Sequence, residues 1–309
     1  MRPGCGGWRR LARFWPFPVA LLAGLFVVGC GSESRVPVRL SAPTLTPQGI
    51  AYDPGMIQIH ELTINEVDGK LYIATQTGLY RLSNGGQPER IAGIVDLKGF
   101  TIIEPGVFLA SGHPSPAMIS EQNAPPHLGL IRSTDGGLTW ETVALLGEAD
   151  FHVLRPVSEG LYGYSASQRQ LMFSKDLVTW ETRGSLDIYA LVADPEDDNY
   201  LIAATPQGIA ISEDGGRRWR MQAGAPPITV LAWGGLRKPV GITRFGQVVV
   251  LNEESVWETV YSFPAAPEAL GLHEKTLLAG IHGQGIWQSD DGGETWEQIM
   301  PPQPPSYPR

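Results

Sequence analysis

Short runs of apolar, β-branched and aromatic residues recur along the chain, and glycine, proline or charged residues interrupt them. Runs of this length between turn-forming residues are typical of β-strands. In the first repeat they predict strands at 60–65, 70–75, 78–82 and 89–92. The same pattern predicts the second strand of each later repeat, at 106–111, 160–165, 199–205, 240–243 and 276–281. No stretch has a convincing helical period, so the sequence predicts an all-β protein.

A phrase ending in tryptophan follows several of these strands. It reads STDGGLTW at 133–140, SEDGGRRW at 212–219 and SDDGGETW at 289–296, with a shortened copy, SKDLVTW, at 174–180. Asp and Gly-Gly make a tight turn, because glycine adopts positive φ and the carboxylate accepts from backbone N–H groups, while tryptophan anchors the turn on its sheet. We therefore interpret the following residues as structural: Asp135, Trp140, Asp176, Trp180, Asp214, Trp219, Asp291 and Trp296.

The tryptophans are spaced by about one repeat length. Trp140, Trp180 and Trp219 follow one another at intervals of 40 and 39 residues, and Trp296 comes 77 residues later. A degenerate copy that ends at Trp257 divides the last interval into 38 and 39. A further copy, without tryptophan, lies at 79–86. A period near 40 with four strands per repeat is typical of a β-propeller.

We predict a six-bladed propeller over 56–300. A seventh blade would need residues 36–55 to contribute, and we favour six. The predicted blades lie at 56–93, 96–144, 149–184, 186–222, 227–261 and 265–300.

The repeated phrase resembles the Asp-box, or bacterial neuraminidase repeat, of sialidases, sortilin-type receptors and photosystem II assembly-factor propellers. From residue 60 to residue 298 the chain is similar to bacterial lipoproteins described as glycosyl hydrolases or exo-α-sialidase-like proteins. The stretches IHELTINEVDGKLYIATQTGLYR, LASGHPSP and GEADFHVLRPVSEGLYGY carry this resemblance. It implies a propeller that acts on extracellular glycans, although the Arg-Ile-Pro motif of sialidases is absent and the nearest phrase is Leu154-Arg155-Pro156.

The amino terminus predicts export and lipidation. Four arginines, an apolar run and Val-Val-Gly-Cys come in the order of a lipoprotein signal, with residues 1–29 removed and lipid attached to Cys30. An ordinary secretory signal is the alternative. Residues 30–55 would then form a lipidated tether, and 301–309 a Pro-rich tail. The sequence thus predicts an extracytoplasmic protein anchored to a bacterial membrane through Cys30.

The net charge limits the classes of partner, and the cysteine content limits how the fold is stabilised. Removing the four arginines of 1–29 leaves 19 basic against 32 acidic residues, a net charge of −13. This acidity argues against nucleic acid as a partner and gives little support to an assembly-factor role at a basic patch. With Cys5 removed, the mature chain has no internal disulfide, so its stability must come from a packed core.

Aligning the blades places several chemically capable residues on one face. His60, His152 and Tyr189 open first strands, which line the channel of a propeller. Loops between second and third strands reach the same face, and those loops carry His113, Arg244 and His282. Glu61 and Asp150 lie beside the first strands, and the long loop 112–129 carries His127.

Three interpretations of this face remain open. His60, His113 and His152 are candidate ligands of a divalent transition metal, with Glu61 or Asp150 behind them. The face can instead bind a polar ligand, a glycan or a protein partner, or it is a polar channel lining with ordered water. A glycosidase would need two suitably spaced carboxyl groups, for which Glu61, Asp150 and Glu268 are candidates. The sequence identifies neither the ligand nor any catalysis.

Overall fold

The computed structural model describes residues 37–38, 55–82 and 87–303. The predicted signal peptide, Cys30, most of the tether, residues 83–86 and the end of the Pro-rich tail lie outside the described residues. Within the described ranges, no helical segment has the length and hydropathy needed to span a bilayer.

Six antiparallel sheets confirm the predicted six-bladed propeller. The strands are numbered in chain order, and β1 (Pro37–Val38) precedes the first blade. Blade one contains β2 (Ile59–Asn65), β3 (Lys70–Thr75), β4 (Gly78–Leu82) and β5 (Glu89–Arg90). Blade two contains β6 (Asp96–Glu104), β7 (Val107–His113), β8 (Leu130–Ser133) and β9 (Trp140–Ala144). Blade three contains β10 (Phe151–Val157), β11 (Gly160–Ser165), β12 (Gln170–Ser174) and β13 (Glu181–Ser185).

The remaining blades repeat this arrangement. Blade four contains β14 (Ala190–Asp194), β15 (Asp197–Thr205), β16 (Gly208–Ser212) and β17 (Arg220–Met221). Blade five contains β18 (Ile228–Ala232), β19 (Val240–Thr243), β20 (Gln247–Leu251) and β21 (Trp257–Ser262). Blade six contains β22 (Pro267–His273), β23 (Thr276–Ile281), β24 (Gly285–Ser289) and β25 (Glu297–Met300). Every blade therefore supplies its own four strands in sequence order, without an exchanged edge strand in the described chain.

The first strands of the blades form the inner wall of the ring. Each contacts the first strand of the next blade, and β2 contacts β22, which closes the ring. The buried apolar residues form six clusters, each of which lies between two neighbouring blades, including one between blades six and one. The core is thus divided among six inter-blade layers, as expected when each sheet must bury both faces.

The Asp-box turns join the third and fourth strands and make internal hydrogen bonds. Ser133 Oγ donates to Asp135 Oδ1 (2.8 Å) and accepts from the Gly137 N–H (2.8 Å). Asp135 also accepts from the Thr139 N–H (2.9 Å) and hydroxyl (2.6 Å). The Trp140 indole donates to Gly137 O at 3.0 Å. The side chains of Ser133, Asp135, Thr139 and Trp140 therefore all form hydrogen bonds within their own turn.

The other copies repeat the indole bond, except in blade five. Trp180, Trp219 and Trp296 donate to the carbonyl three residues earlier, at 3.1, 3.0 and 2.9 Å. In the degenerate turn of blade five, Asn252 replaces the aspartate, and the Trp257 indole donates to Gln222 Oε1 at 3.0 Å. This tryptophan therefore bonds the preceding blade instead of its own turn.

Two local elements differ from the sequence prediction. The loop 112–129 contains α1 (Pro116–Gln122), although no helix was predicted. Ser115 caps it by accepting from the Met118 N–H (3.2 Å), and a helix this short shows no clear period in sequence. β1, inside the expected tether, pairs with the outer strand β9 and makes blade two five-stranded. It covers a sheet edge and does not form a seventh blade.

We expect Trp140→Ala to lower the free energy of unfolding by about 3–5 kcal/mol, because removing a buried indole leaves a cavity between blades one and two. Trp257→Ala is the matched control, and the loss there should be clearly smaller because that indole is only half-buried. Urea unfolding of both variants measures the difference. Equal losses would contradict the assigned role of the Asp-box indole.

The Asp-box also predicts acid sensitivity. Hydrogen bonds from the Thr295 hydroxyl and N–H lower the pKa of Asp291 to about 2. A lowered folded-state pKa stabilises the protein above the unfolded pKa of about 4, and this contribution disappears as the pH falls towards 2. Asp291→Asn should therefore be less stable than wild type at pH 7 and nearly equal to it at pH 2. Urea unfolding across this range tests it, with exposed Glu294→Gln as the control that should track wild type throughout.

Candidate functional site

A cavity of about 580 Å³ opens on the face where the inner strands begin. All six blades reach this face with the start of their first strand or with the loop after their second strand. The cavity wall includes His60, Lys98, His152, Tyr189, Arg244 and Glu268. The sequence-predicted residues His60, His152, Tyr189 and Arg244 therefore share one cavity.

A β-bulge brings several of these side chains to the cavity. In five of the six described inner strands, the pairing register shifts around a residue near the strand start. The residues at these shifts are His60, Lys98, His152, Thr229 and Glu268, and each lines the cavity. A bulged residue leaves the regular ladder and its side chain is redirected. The repeated bulge is thus the local feature that directs these five side chains into the cavity.

His60 belongs to a charged group with two residues of blade two. Its Nε2 lies 3.1 Å from Asp96 Oδ1 and 3.1 Å from Lys98 Nζ, and Lys98 Nζ is 3.4 Å from Asp96 Oδ2. One ring nitrogen cannot donate to the carboxylate and accept from the ammonium at once. Burial raises the pKa of Asp96, but the hydrogen bond from His60 and the charge of Lys98 outweigh it and hold this pKa below its usual value.

His113 connects this group to blade three. Its Nδ1 lies 3.2 Å from Asp96 Oδ2, and its Nε2 lies 3.3 Å from Asp150 Oδ2. A carboxylate only accepts hydrogen bonds, and a neutral imidazole carries a single N–H. A neutral His113 can therefore donate to one of the two carboxylates, and the other contact requires a second proton or a bound cation.

Asp150 is buried between two imidazoles. Its Oδ2 lies 3.3 Å from His113 Nε2 and 3.1 Å from His152 Nε2, while its side chain is only 7% exposed. Its other oxygen, Oδ1, is buried and has no hydrogen-bond partner in the described part of the chain. Burial raises the pKa of Asp150, but the hydrogen bond from His152 and the nearby imidazole charges outweigh it, so this pKa is lowered.

His127, carried by the long loop, lies beside the same group. Its ring centroid is 5.7 Å from that of His113, and its Nδ1 is buried without a hydrogen-bond partner among the described residues. The loop 112–129 does not line the large cavity. It therefore brings imidazoles to the edge of the site and does not cover it.

The opposite side of the cavity is more exposed. The Tyr189 side chain is 55% exposed, and the Arg244 guanidinium stacks 4.8 Å from the ring of Phe245, which is also exposed. Glu268 accepts from the Ile59 N–H at 2.8 Å. Tyr189 and Phe245 form an exposed aromatic rim, and the Glu268 side chain behind it is only 17% exposed.

His282, a predicted face residue, lies outside the cavity wall. Its Nδ1 is 2.7 Å from Glu268 Oε1, and its side chain is largely exposed. In the part of the chain that the structure describes, its contact with Glu268 connects it to the site.

Glu61, another predicted face residue, lies deeper in the channel. It lines a separate cavity of about 190 Å³ with Arg155 and Trp233. Burial raises the pKa of Glu61 to about 7, against the attraction of Arg155. Arg155 donates from Nε to Leu191 O at 2.9 Å. Neither Glu61 nor Arg155 therefore reaches the histidines at the mouth.

The structure adds three residues to the predicted site. Lys98 occupies the bulge position in blade two that His60 and His152 occupy in their blades, and Asp96 lies two residues before it, at the start of the inner strand. The repeat therefore aligns Lys98 with those histidines and Asp96 with Asp150 of blade three. His127 carried a weaker signal, since a loop position gives no register.

Comparisons with known proteins show the fold. No protein-family model and no curated protein matches the chain. An extracellular domain from B. thetaiotaomicron matches with TM-score 0.50 and 10% identity, over 84% of this chain and 34% of that one. YCF48 from Cyanidioschyzon merolae matches with TM-score 0.50 and 14% identity, over 80% and 86%. The GH74 xyloglucanase from Xanthomonas campestris matches with TM-score 0.52 and 17% identity, over 80% and 39%.

These identities support a shared β-propeller fold and nothing finer. The chain spans only about a third of the B. thetaiotaomicron domain and two fifths of the xyloglucanase.

Glu61 predicts an unusual pH dependence. Because its folded-state pKa of about 7 exceeds its ordinary value of 4.5, folding favours the protonated acid, and stability should fall as the pH rises between these values. Glu61→Gln removes this penalty and should be more stable than wild type above pH 7, with a difference that shrinks towards pH 5. Urea unfolding at several pH values measures this. Exposed Glu66→Gln is the control, and a pH-independent difference for Glu61→Gln would contradict the assignment.

Proposed function

We propose that this chain is a lipid-anchored, extracytoplasmic binding protein that captures a polar ligand of the glycan class in its large cavity. The observation that carries the proposal is the cavity itself, where five bulged inner strands aim polar side chains at one space of about 580 Å³. Its volume falls in the range of about 300–1,000 Å³ that is usual for small-ligand sites.

The wall chemistry supports a sugar-like ligand. Gln58, Gln207 and Thr229 offer neutral hydrogen-bonding groups, and Arg244 and Glu268 offer charged ones. A hydroxyl-rich ligand can use such donors and acceptors together. The exposed Tyr189 ring adds an apolar surface on which the face of a sugar ring can pack.

Export and anchoring rest on the amino-terminal sequence. The basic start, the apolar run and Cys30 in that order support lipidation outside the cytoplasm. The extracellular domain of similar fold from B. thetaiotaomicron is compatible with this location.

Glycoside hydrolysis is the second candidate function, favoured by the fold that the chain shares with a xyloglucanase. A glycosidase needs one carboxyl group that is protonated near neutral pH. The lowered pKa values of Asp96 and Asp150 make both poor acids, and Glu61, whose pKa is raised, lines a different cavity. These observations favour binding over hydrolysis. Fluorophore release from an aryl-glycoside panel, lost in Glu268→Gln, would reverse this preference.

A protein ligand is the main alternative occupant. YCF48, which shares the fold, has been solved with a D1 peptide bound. Binding of peptides but no glycan by the same cavity would replace the glycan class with a peptide class.

The test is a glycan microarray probed with the labelled protein, followed by calorimetry on the strongest hit. Tyr189→Ala and Arg244→Ala should each weaken binding by about fivefold, because each removes a contact worth roughly 1 kcal/mol. Arg218→Ala, on an Asp-box turn at the other end of the strands, is the matched control and should bind like wild type. The absence of any glycan signal for wild type, or equal affinity for all variants, would contradict the proposal.

A further inference from the structure

We propose that His113, Asp150 and His152 bind a divalent transition-metal ion at the edge of the large cavity. One ligand atom from each residue lies within 4.8 Å of the other two. Two imidazoles and one carboxylate form a donor set suited to zinc-like ions, whereas Mg²⁺ and Ca²⁺ prefer sites made of oxygen alone.

The spacing of the donor atoms fits a small ion. Metal–ligand bonds of about 2.0–2.1 Å in a tetrahedral site place ligand atoms roughly 3.3 Å apart. Asp150 Oδ2 lies 3.3 Å from His113 Nε2 and 3.1 Å from His152 Nε2. All three ligand atoms lie within 4.8 Å of one another, and side-chain rotation can bring them to the separations of a tetrahedral site.

Asp96 behind His113 has the arrangement expected around a metal site. Its Oδ2 lies 3.2 Å from His113 Nδ1, and in the tautomer that donates to Asp96 the Nε2 lone pair of His113 faces Asp150. His60 and Lys98 hold Asp96 in turn. A ring nitrogen without a proton beside a carboxylate is repulsive unless a cation lies between them. A bound ion supplies that cation.

Two unpartnered polar atoms point to the same conclusion. Asp150 Oδ1 and His127 Nδ1 are both buried without a hydrogen-bond partner in the described ranges. Leaving a buried carboxylate oxygen without a hydrogen bond costs folding free energy. The two imidazoles contact Asp150 Oδ2 and do not offset this cost at Oδ1. The His127 ring, whose centroid is 5.7 Å from that of His113, brings one of these unpartnered atoms beside the cluster.

Imidazolium is the competing explanation. A doubly protonated His113 between Asp96 and Asp150 would satisfy both carboxylates without metal. The two explanations differ in metal affinity, which makes them separable by direct titration.

The metal inference deepens the proposed function, because His152 belongs both to the ion's ligand set and to the cavity wall. An ion at this position would offer an open coordination site to a hydroxyl or carboxylate of the cavity ligand. Ion binding itself does not require that ligand, so the two proposals can fail separately.

The experiment uses the protein without a polyhistidine tag, treated with chelator and titrated with Zn²⁺ by calorimetry in the absence of any glycan. Wild type should bind a single Zn²⁺ per chain, and Mg²⁺ should give no heat of binding. Co²⁺ should bind at the same site with the visible absorption of a low-coordinate nitrogen–oxygen site.

The variants separate ligands from positioning residues. Asp96→Asn should weaken Zn²⁺ binding by about 10–100-fold, as for groups that orient a ligating imidazole, and Asp150→Asn or His113→Ala by more than about 100-fold. His152→Asn should also weaken Zn²⁺ binding by more than about 100-fold. Because the His152 side chain is partly exposed, this variant is expected to fold. His282→Ala, a histidine of the same face outside the ligand set, is the matched control and should keep wild-type affinity.

Two outcomes would overturn the inference: no Zn²⁺ or Co²⁺ binding by wild type, or wild-type affinity in His152→Asn with circular dichroism showing an intact fold. The first outcome would leave a doubly protonated His113 between Asp96 and Asp150 as the explanation of the cluster. Glycan binding by the cavity would remain testable in either case, because the microarray is read with chelator-treated protein as well as with Zn²⁺ present.

Discussion

Packing between neighbouring blades is the interaction on which the rest of the structure depends. Each sheet buries its faces against the next, and the ring closes because blade six packs on blade one, with no strand of one blade pairing into the sheet of the other. At this closure, a Cβ on Gly271 would lie 2.0 Å from Leu62 O, so only glycine permits the approach of the two inner strands. The close ring of inner strands brings their first residues together at one face, and these residues form the wall of the large cavity.

The repeat made most of the fold predictable from sequence. The Asp-box phrase fixes the corner between third and fourth strands, and the intervals between Trp140, Trp180 and Trp219 give the period. Many strand limits, such as Lys70–Thr75 and Thr276–Ile281, agree with the prediction because turn-forming residues flank them. The helix α1 and the edge strand β1 were missed because each depends on contacts that a short segment does not encode.

The sequence predicted the face on which the candidate residues lie, but not the contacts among their side chains. Register within a blade placed His60, His113 and His152 on one face, since that alignment needs only the repeat. It did not show that His60 contacts Asp96 and Lys98 while His113 and His152 share Asp150, because those pairings cross blade boundaries. The sequence also did not show the bulge at His60, which removes this residue from the regular alternation of β2, whereas Glu61 pairs with β3 and lines a separate cavity.

The bulges at the starts of the inner strands divide two roles: the flanking residues pair with the second strand, and the bulged residues line the cavity. Residues on either side of each bulge pair with the second strand, whereas the residue between them pairs with none. The strand register is therefore set by the residues that flank each bulge and not by pairing of the bulged residue. The paired residues thus set the propeller fold, and the five bulged residues set the chemistry of the cavity. Other propellers with the same bulges could therefore bind different ligands through changes at these five positions.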